Sequence, residues 1–468
     1  MQIVILGAGP GGYAAAIRAA RKGAEVTLID RGEPGGTCLH KGCIPSKIMR
    51  RTADVAREVR DAEAFGVEGG GGATVNMATL RKRQKAIVDA QAKGLAHHFK
   101  ALGIALVRGS GSVANAGSVD VTGDDGAITS YPYDHLLLAT GSVPMSIPGL
   151  EPDGDRILTS DEALWMEELP ESLLVVGGGV IGCELAQIFH DFGVRITLVE
   201  GLERLLPLPG VDEEISKTYM RSLKKAKLPY VVGQTLAGVR KDGNGLIATI
   251  KPFGGEGEPR EINCDKVLVA IGRKACADGL GLEALGVRLD KRGWIEADEY
   301  FRTNAPHVWA IGDCLGPARV MLAHAATAEG LAAVENMFGA WETVDYPAIP
   351  SAVFTAPEIG CVGLSLAQTQ EADPESRAHD FLFRQLGKAQ AMGETDGLFR
   401  IVSGPDGRVL GGHIIGACAT SLIAELALAV ARGLSVDDIA KTVHAHPTLP
   451  EGVWEAALSA AGRPLHGA

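Results

Sequence analysis

The chain has 468 residues, which is more than one hydrophobic core usually holds, so about three folding units are expected. Hydrophobic residues make up 46% and charged residues 22%, as in a globular protein, and a formal charge of −12 without a basic, aromatic-rich stretch argues against nucleic acid as a partner. No apolar run reaches the roughly 18 residues of a membrane span, so we expect no membrane partner. The eight Cys lack zinc spacing, so we expect no metal. We also expect a cytoplasmic protein with no leader to cleave.

The N-terminal segment has the pattern of a β-α-β unit. Apolar residues form a strand, a glycine-rich turn follows, and an Ala-rich stretch predicts a helix before a second strand that ends on an acid. The predicted elements are a strand at 2–6, a turn at 7–12, a helix at 13–22 and a strand at 25–29, closed by Asp30.

The turn of this unit carries the pattern GxGxxG at Gly7, Gly9 and Gly12. The three glycines permit a tight turn, close approach to a pyrophosphate and tight helix packing, and Asp30 can accept hydrogen bonds from a ribose diol. The motif alone is weak, but strand, helix and acid follow it in register. A nucleotide site is therefore predicted, and the N-terminal copy suggests FAD.

The residues after this unit are predicted to complete the same domain. Helices are expected at 51–61 and 78–101 around a glycine loop at 69–72. Strands then lead to Thr140, Gly141 and Ser142.

The β-α-β pattern then returns. A strand at 173–176, a turn at 177–182, a helix at 183–191 and a strand at 195–199 end on Glu200, and in both copies the acid lies 23 residues after the first glycine. Each helix directs its first N–H groups at one pyrophosphate, so two units predict two dinucleotide sites. Glu200 should bond the 2′-OH of NAD and repel the 2′-phosphate of NADP. We interpret nearby Arg204 as a solvated surface residue.

Beyond the second unit, residues 308–313 predict a further apolar segment ending on Asp313, and after Tyr346 the pattern changes to strands and loops that end in a helix at 421–432. The predicted fold class is α/β, with two Rossmann-like dinucleotide-binding domains and a C-terminal α+β domain. The predicted segments are 1–145 and 271–345 for the FAD and central domain, 146–270 for the NAD domain and 346–468 for dimerisation.

The strongest local signal is the segment from Gly35 to Lys47, which contains Cys38, Cys43 and Pro45. In this segment the chain resembles the pyridine nucleotide-disulfide oxidoreductase family and, within it, the dihydrolipoamide dehydrogenases. The resemblance implies a redox-active disulfide between Cys38 and Cys43.

A regular helix does not place i and i+5 at disulfide distance, so Gly42 is expected to supply a distorted turn, with a helix beginning near Cys43. A helix N-terminus lowers a thiol pKa, so Cys43 should be the stable thiolate beside the flavin and Cys38 the sulfur that exchanges with substrate.

A second family-like segment runs from His444 to Glu451. The resemblance makes His446, which precedes Pro447, the catalytic acid and base, and makes Glu451 the residue that orients its ring. His444 lacks a following proline and is expected to be structural. The resemblance also implies that His446 of one subunit completes the cysteine site of the other, and hence an obligate homodimer.

By the same resemblance, further residues are assigned to the two cofactors, and Lys47 is expected to pair with Glu184 near the flavin and nicotinamide. The residues assigned to FAD, besides Gly7, Gly9, Gly12 and Asp30, are Gly36, Thr37, Lys47, Gly111, Thr140, Gly141, Ser142, Asp313, Met321, Leu322, Ala323 and His324. Those assigned to NAD are Gly177, Gly179, Ile181, Gly182, Glu184, Glu200, Leu236 and Gly272.

The implied function is oxidation of protein-bound dihydrolipoamide with NAD, in partnership with a lipoyl-bearing protein of a 2-oxo acid dehydrogenase complex or a glycine cleavage system. A glutathione-type reductase would usually have basic residues where Glu200 stands. A mercuric reductase would add a C-terminal cysteine pair, whereas the last cysteine here is Cys418. A non-catalytic flavoprotein subunit is the rival from another class, and the intact Cys38, Cys43, His446 and Glu451 argue against it.

Overall fold

A parallel five-stranded sheet forms the core of the N-terminal part of the chain in the computed structural model, which describes residues 1–243 and 245–466. The first strand pairs with the second in the register Gln2↔Glu25. An antiparallel three-stranded sheet, β4–β5–β6, is attached to it. The elements are β1 Gln2–Leu6, α1 Pro10–Arg21, β2 Glu25–Asp30, α2 Gly36–Lys41, α3 Cys43–Arg60, α4 Met77–Ala101, β3 Ala105–Arg108, β4 Ser110–Asn115, β5 Ser118–Thr122, β6 Ile128–Pro132, β7 His135–Leu138 and β8 Ser142–Pro144.

A second parallel sheet repeats this arrangement, with its central strands in the register Ser172↔Arg195. Its strand order is β12–β11–β10–β16–β9, and an antiparallel sheet, β13–β14–β15, packs against it through apolar side chains. The elements are β9 Ile157–Leu158, α5 Ser160–Ala163, β10 Ser172–Val176, α6 Val180–Asp191, β11 Arg195–Val199, α7 Glu213–Lys225, β12 Tyr230–Val231, β13 Gln234–Asp242, β14 Gly245–Pro252, β15 Arg260–Cys264, β16 Lys266–Val269 and β17 Arg273–Ala275.

The chain then returns to the first sheet. Strand β18, Val308–Ala310, pairs in parallel with β7 at the sheet edge, so the order of that sheet is β18–β7–β1–β2–β3. Helix α8, Ala323–Met337, follows and packs along α1. Residues about 300 positions apart in sequence therefore share one core.

The last part of the chain is an antiparallel sheet of order β19–β20–β23–β22–β21 with helices packed on it. Its elements are β19 Ser351–Val353, β20 Glu358–Gly363, α9 Leu366–Ala372, β21 Arg377–Leu382, α10 Gly387–Met392, β22 Leu398–Ser403, β23 Val409–Gly416, α11 Ala419–Arg432, α12 Val436–Lys441 and α13 Glu451–Ala460. Within the described ranges, no helix is both long and apolar enough to cross a bilayer.

Several predicted boundaries were wrong. Helices α1 and α6 begin three residues before positions 13 and 183, because the end of each glycine turn already forms the first helical turn, with Pro10 at a favourable first position in α1. The helix predicted at 51–61 is the C-terminal part of α3, whose start at Cys43 agrees with the helix expected near that residue. The helix at 421–432 does not end the last domain: α12 and α13 follow it, and α13 carries Glu451.

Candidate active site

The two glycine turns have nearly the same backbone. Gly7 and Gly177 have φ of +106° and +108°, in the region where glycine is favoured. A Cβ on Gly12 would lie 1.8 Å from the Gly7 carbonyl oxygen, and a Cβ on Gly182 would lie 1.8 Å from the Gly177 carbonyl oxygen. Both turns therefore close only with glycine at these positions.

Each turn is held by the acid at the end of its second strand. Asp30 Oδ2 accepts a hydrogen bond from the Ala8 N–H at 2.6 Å, and Glu200 Oε2 accepts one from the Gly178 N–H at 2.6 Å. The other Glu200 oxygen accepts the Leu202 N–H at 2.8 Å. A carboxylate has lone pairs to spare beyond these bonds, so either acid can also accept a ribose hydroxyl.

Arg204 is not the solvated surface residue that the sequence suggested. Its guanidinium donates to the carbonyl oxygens of Leu208 and Val211, at 3.3 and 3.2 Å, and its side chain is half-buried. The backbone of the 206–211 loop folds over it, which no local sequence pattern reveals. These bonds hold Nη2 of Arg204 on its own loop, whereas Nη1 is buried without a hydrogen-bond partner among the described residues.

The residues of the first turn fit an FAD. Gly9 precedes α1, and the nearest atom that a Cβ there would meet is the Gly36 Cα at 3.9 Å, so the turn is open to a phosphate at a helix N-terminus. Thr140 Oγ1 is buried without a hydrogen-bond partner among the described residues. Close by, Ser142 Oγ donates to Asp313 Oδ2 at 2.7 Å. An unpaired buried hydroxyl beside a polar pair is what a bound polar cofactor would satisfy.

The remaining residues assigned to FAD lie near this region in different elements. Gly111 is on β4, where a Cβ would lie 2.6 Å from the Leu6 side chain. Met321 and Leu322 precede α8, and Ala323 is its first residue. His324 Nε2 bonds the Pro350 carbonyl oxygen at 2.8 Å, which ties the start of α8 to the C-terminal domain.

The residues assigned to NAD divide into two groups. Gly179 has open space where a Cβ would stand, and Ile181 lies in the first turn of α6. Gly272 has φ of +134° and follows β16 in the same sheet. The Leu236 side chain, by contrast, is buried in the core between the two sheets of this domain.

The two cysteines lie on consecutive helices. Cys38 is in α2, Cys43 is the first residue of α3, and Gly42 between them has φ −152° and ψ −111°, outside the helical region. This is the distorted turn that the sequence predicted. A Cβ on Gly42 would lie 3.0 Å from the Thr37 carbonyl oxygen, so the bend needs a small residue. Both cysteines are free thiols in this structure and share a hydrogen bond.

The shared hydrogen bond shifts the pKa values of the two thiols in opposite directions. The bond from Cys38 lowers the pKa of Cys43 to about 7 against the effect of burial, with help from the nearby Lys47 ammonium. The same bond raises the pKa of Cys38 far above its usual value, and burial adds to the effect. The reduced pair therefore carries one proton, on Cys38, and one negative charge, on Cys43.

The predicted pairing of Lys47 with Glu184 is confirmed. Lys47 Nζ lies 2.9 Å from Glu184 Oε2, and the Glu184 side chain is only 7% exposed. Phe354 completes the group, since its backbone N–H donates to Glu184 Oε1 at 2.9 Å and its ring lies 4.1 Å from Lys47 Nζ. No local sequence signal reveals the contact of Phe354 with this pair.

His446 and Glu451 also come together. His446 Nδ1 lies 2.8 Å from Glu451 Oε1, and Glu451 Oε2 accepts the Thr448 N–H at 2.7 Å. Burial alone would raise the pKa of Glu451, but the Thr448 N–H and the two nearby histidines hold it below its usual range. The His446 ring is 80% exposed, and its Nε2 has no partner within the described part of this protomer. It can therefore receive a proton from another molecule.

A pocket of about 410 Å³ opens onto Cys38 but not onto Cys43. Tyr13 also lines it, and burial together with the charges of Cys38 and Cys43 raises the pKa of the Tyr13 hydroxyl. Gln91 and His98 reach the pocket from α4. The sequence predicted none of these three residues, because a helix of mixed polarity such as α4 does not reveal which side faces a cavity.

Family models match nearly the whole chain. Residues 1–330 match "Pyridine nucleotide-disulphide oxidoreductase", and residues 349–457 match the dimerisation domain of the same family. The chain is 40% identical to a dihydrolipoyl dehydrogenase of Chlamydia pneumoniae, with 99% of this chain and 97% of that protein covered. It is 38% identical to the dihydrolipoyl dehydrogenase of Bacillus subtilis, with 99% and 98% covered.

Solved structures have the same architecture. LpdA from Mycobacterium tuberculosis superimposes with a TM-score of 0.90 at 28% sequence identity, covering 98% of this chain and 99% of that one. The flavoprotein disulfide reductase RclA from Escherichia coli gives a TM-score of 0.85 at 21% identity, with 97% and 98% covered, which shows the shared fold alone.

Proposed function

The chain belongs to the pyridine nucleotide-disulphide oxidoreductase family, and from that premise we propose that it is an FAD-dependent dihydrolipoyl dehydrogenase that oxidises protein-bound dihydrolipoamide with NAD. The observation that carries the proposal is the asymmetry of the cysteine pair. Cys38 faces a pocket and keeps its proton, whereas Cys43 is turned away from that pocket and has a pKa lowered to about 7, first by the hydrogen bond from Cys38.

This asymmetry divides the chemistry between the two sulfurs. Starting from the disulfide, His446 Nε2 takes a proton from one substrate thiol, and the resulting thiolate attacks Cys38. The Cys38–Cys43 bond breaks, and Cys43 leaves as the thiolate that Lys47 helps to stabilise. The second substrate thiol then displaces Cys38: His446 passes the first proton to Cys38, takes the proton of the second thiol and releases it to solvent, and the product leaves as a cyclic disulfide.

The pair then holds the two electrons of the substrate as one thiol and one thiolate. FAD bound at the first turn would supply the acceptor for these electrons, and NAD bound at the second turn would supply the final hydride acceptor. Residues Thr140, Ser142 and Asp313 are proposed to hold the flavin nucleotide, and Glu200 to bond the NAD ribose. The Lys47–Glu184 pair links α3, which carries Cys43, to α6, the helix of the second turn.

The proposal extends to the assembly. The dimerisation domain makes the protein a homodimer, and the exposed His446 is proposed to complete the cysteine site of the partner subunit. A lipoyl-bearing protein of a 2-oxo acid dehydrogenase or glycine cleavage system is the proposed partner, and the cytoplasm the proposed location. The division of the chain at 145, 270 and 345 is likewise our proposal.

The function is tested by reducing the purified yellow protein with dihydrolipoamide under anaerobic conditions and then adding NAD. We expect rapid bleaching of the flavin absorbance and then NADH formation. Cys38→Ser and Cys43→Ser should each abolish both, while Cys418→Ser, which alters an exposed cysteine, should change neither. Reduction by NADPH only, without lipoamide turnover, would instead indicate another disulfide reductase of the family.

A further inference from the structure

The segment that carries His446 contains a second histidine–glutamate pair. His444 Nε2 lies 3.0 Å from Glu425 Oε1, and its side chain is 7% exposed, compared with 80% for His446. Glu425 comes from α11, so this pair joins the loop between α12 and α13 to a neighbouring helix. The two rings are only two residues apart, but their surroundings differ.

The hydrogen-bond contacts of His444 involve both of its ring nitrogens. Its Nδ1 lies 2.9 Å from the Thr442 carbonyl oxygen and its Nε2 faces the Glu425 carboxylate, so both ring nitrogens face acceptors. The Thr442 carbonyl and the Glu425 carboxylate therefore hold the His444 ring from both of its nitrogens. His446 has an acceptor at Nδ1 alone, so its Nε2 is free to act as a base.

We propose that the His444–Glu425 pair is a positioning device for the dithiol reaction: it fixes the loop that presents His446. This inference rests on the proposed function. It assigns His444 no contact with substrate and no proton transfer.

Three further observations support the proposal. The charge of His444 is among the influences that lower the pKa of Glu451, after the larger opposing effect of burial and the contributions of Thr448 and His446. The His444 ring stacks on Trp454 of α13 with ring centroids 6.3 Å apart. Trp454 in turn donates from its indole N–H to the Ala440 carbonyl oxygen at 3.0 Å. Trp454 therefore contacts both His444 in the loop and Ala440 near the end of α12.

The order of the contacts shows how a change at His444 reaches the reacting atom. Glu425 and the Thr442 carbonyl fix the His444 ring, the ring and its charge act on Glu451, and Glu451 fixes Nδ1 of His446. The charged groups in this cluster are Glu425 from α11, Glu451 from α13 and the two histidines of the loop. A displacement of about 1 Å at a catalytic base can cost roughly 100-fold in rate.

Turnover of dihydrolipoamide by His444→Gln and Glu425→Gln tests the proposal. We expect kcat to fall by about 10- to 100-fold in each, with the double variant no slower than the worse single variant because the two residues act as one pair. On the acid side, activity should be lost at a higher pH, since Glu451 would take up a proton more readily. NADH-dependent ferricyanide reduction, which needs neither His446 nor the substrate thiols, should stay within twofold.

His466→Gln is the matched control. It removes another histidine–glutamate pair on α13, in which His466 Nδ1 lies 2.6 Å from Glu455, and should leave dihydrolipoamide turnover unchanged. Equal losses of ferricyanide and dihydrolipoamide activity, or no loss in either His444 or Glu425 variant, would overturn the positioning role. If the wild-type protein failed to oxidise dihydrolipoamide at all, the proposed function would be wrong, which is a separate result.

Discussion

The two dinucleotide turns share a sequence pattern but differ in what packs against them. In the first turn, a Cβ on Gly36 would lie 2.5 Å from the Gly9 Cα, so the helix that carries Cys38 rests on the turn itself. In the second turn, a Cβ on Gly179 would meet no atom within 4 Å. The glycines thus determine the shape of each turn. The helix that carries Cys38 packs on the first turn, and this contact places the reactive cysteines beside that turn.

The largest expected effect comes from the position that closes each turn. Gly12→Ala and Gly182→Ala introduce the same clash with a carbonyl oxygen, at a cost of about 3 kcal/mol or more. If the turns have separate roles, Gly12→Ala should yield protein without FAD and without any activity. Gly182→Ala should keep its yellow colour and its reduction by dihydrolipoamide but lose NADH formation by about 100-fold. Absorbance spectra and the two half-reactions distinguish these outcomes.

Gly210→Ala controls for the addition of a methyl group in the same domain, because no atom lies within 4 Å of that position. If Gly12→Ala and Gly182→Ala lost FAD and both half-reactions to the same extent, the two turns would act as one unit and would not have separate roles.

A smaller effect is expected where α2 packs on the first turn. Gly36→Ala forces a residue with φ of +58° into a strained conformation and pushes α2 away from Gly9, so dihydrolipoamide turnover should fall by roughly 10- to 100-fold. NAD affinity, measured by calorimetry, should not change. Gly66→Ala has a similar φ of +75° but open space around it, and therefore separates backbone strain from the loss of close packing.

Substitution of Glu200 and of Asp30 should have different effects on cofactor binding, and these effects should be more moderate. Removal of Glu200 deletes a ribose acceptor, and Glu200→Ala should raise the KM for NAD about tenfold, equivalent to ~1.4 kcal/mol. The preference for NAD over NADP should narrow at the same time, because a repelling charge is gone. Asp30→Ala should weaken FAD retention and leave the NAD:NADP ratio unchanged. Glu203→Ala, at an exposed neighbouring acid, should change neither.

Local sequence patterns predicted the parts of this molecule that depend on local geometry. Strand β1, the distorted turn at Gly42 and the start of α3 near Cys43 all follow from residue types within a few positions of one another. Resemblance to a family added the Lys47–Glu184 pair, whose members are 137 residues apart. Family membership and the dinucleotide fold were predicted in the same way, and the comparisons confirm them.

Long-range packing explains what the sequence did not reveal. Phe354 reaches Glu184 across domains, and Arg204 is enclosed by its own loop. The pocket residues Gln91 and His98 depend on which face of α4 meets α2. Helices α12 and α13 were missed because short amphipathic segments after a loop give a weak periodic signal.

The smallest expected effect concerns the ion pair that joins the cysteine helix to the helix of the second turn. Lys47 belongs to α3 and Glu184 to α6, and their charges act on Cys43 with opposite signs. The pKa of Cys43 is lowered to about 7, so its thiolate is present above that pH and lost below it. Alkylation of the reduced protein by iodoacetamide should therefore be half-maximal near pH 7. Lys47→Met should raise this midpoint by roughly one pH unit, and Glu184→Gln should lower it.

Lys41→Met provides the control, because Lys41 lies close to both cysteines in sequence but pairs with Asp161 at an exposed site. Opposite movements in the Lys47 and Glu184 variants, with none in Lys41→Met, would mean that the NAD-side helix tunes the thiolate of the FAD-side helix through one ion pair. A midpoint that stays near pH 7 in both variants would leave the Cys38 hydrogen bond, the largest influence on Cys43, as the sole means of lowering its pKa. The cysteine helix and the helix of the second turn would then be joined by packing alone.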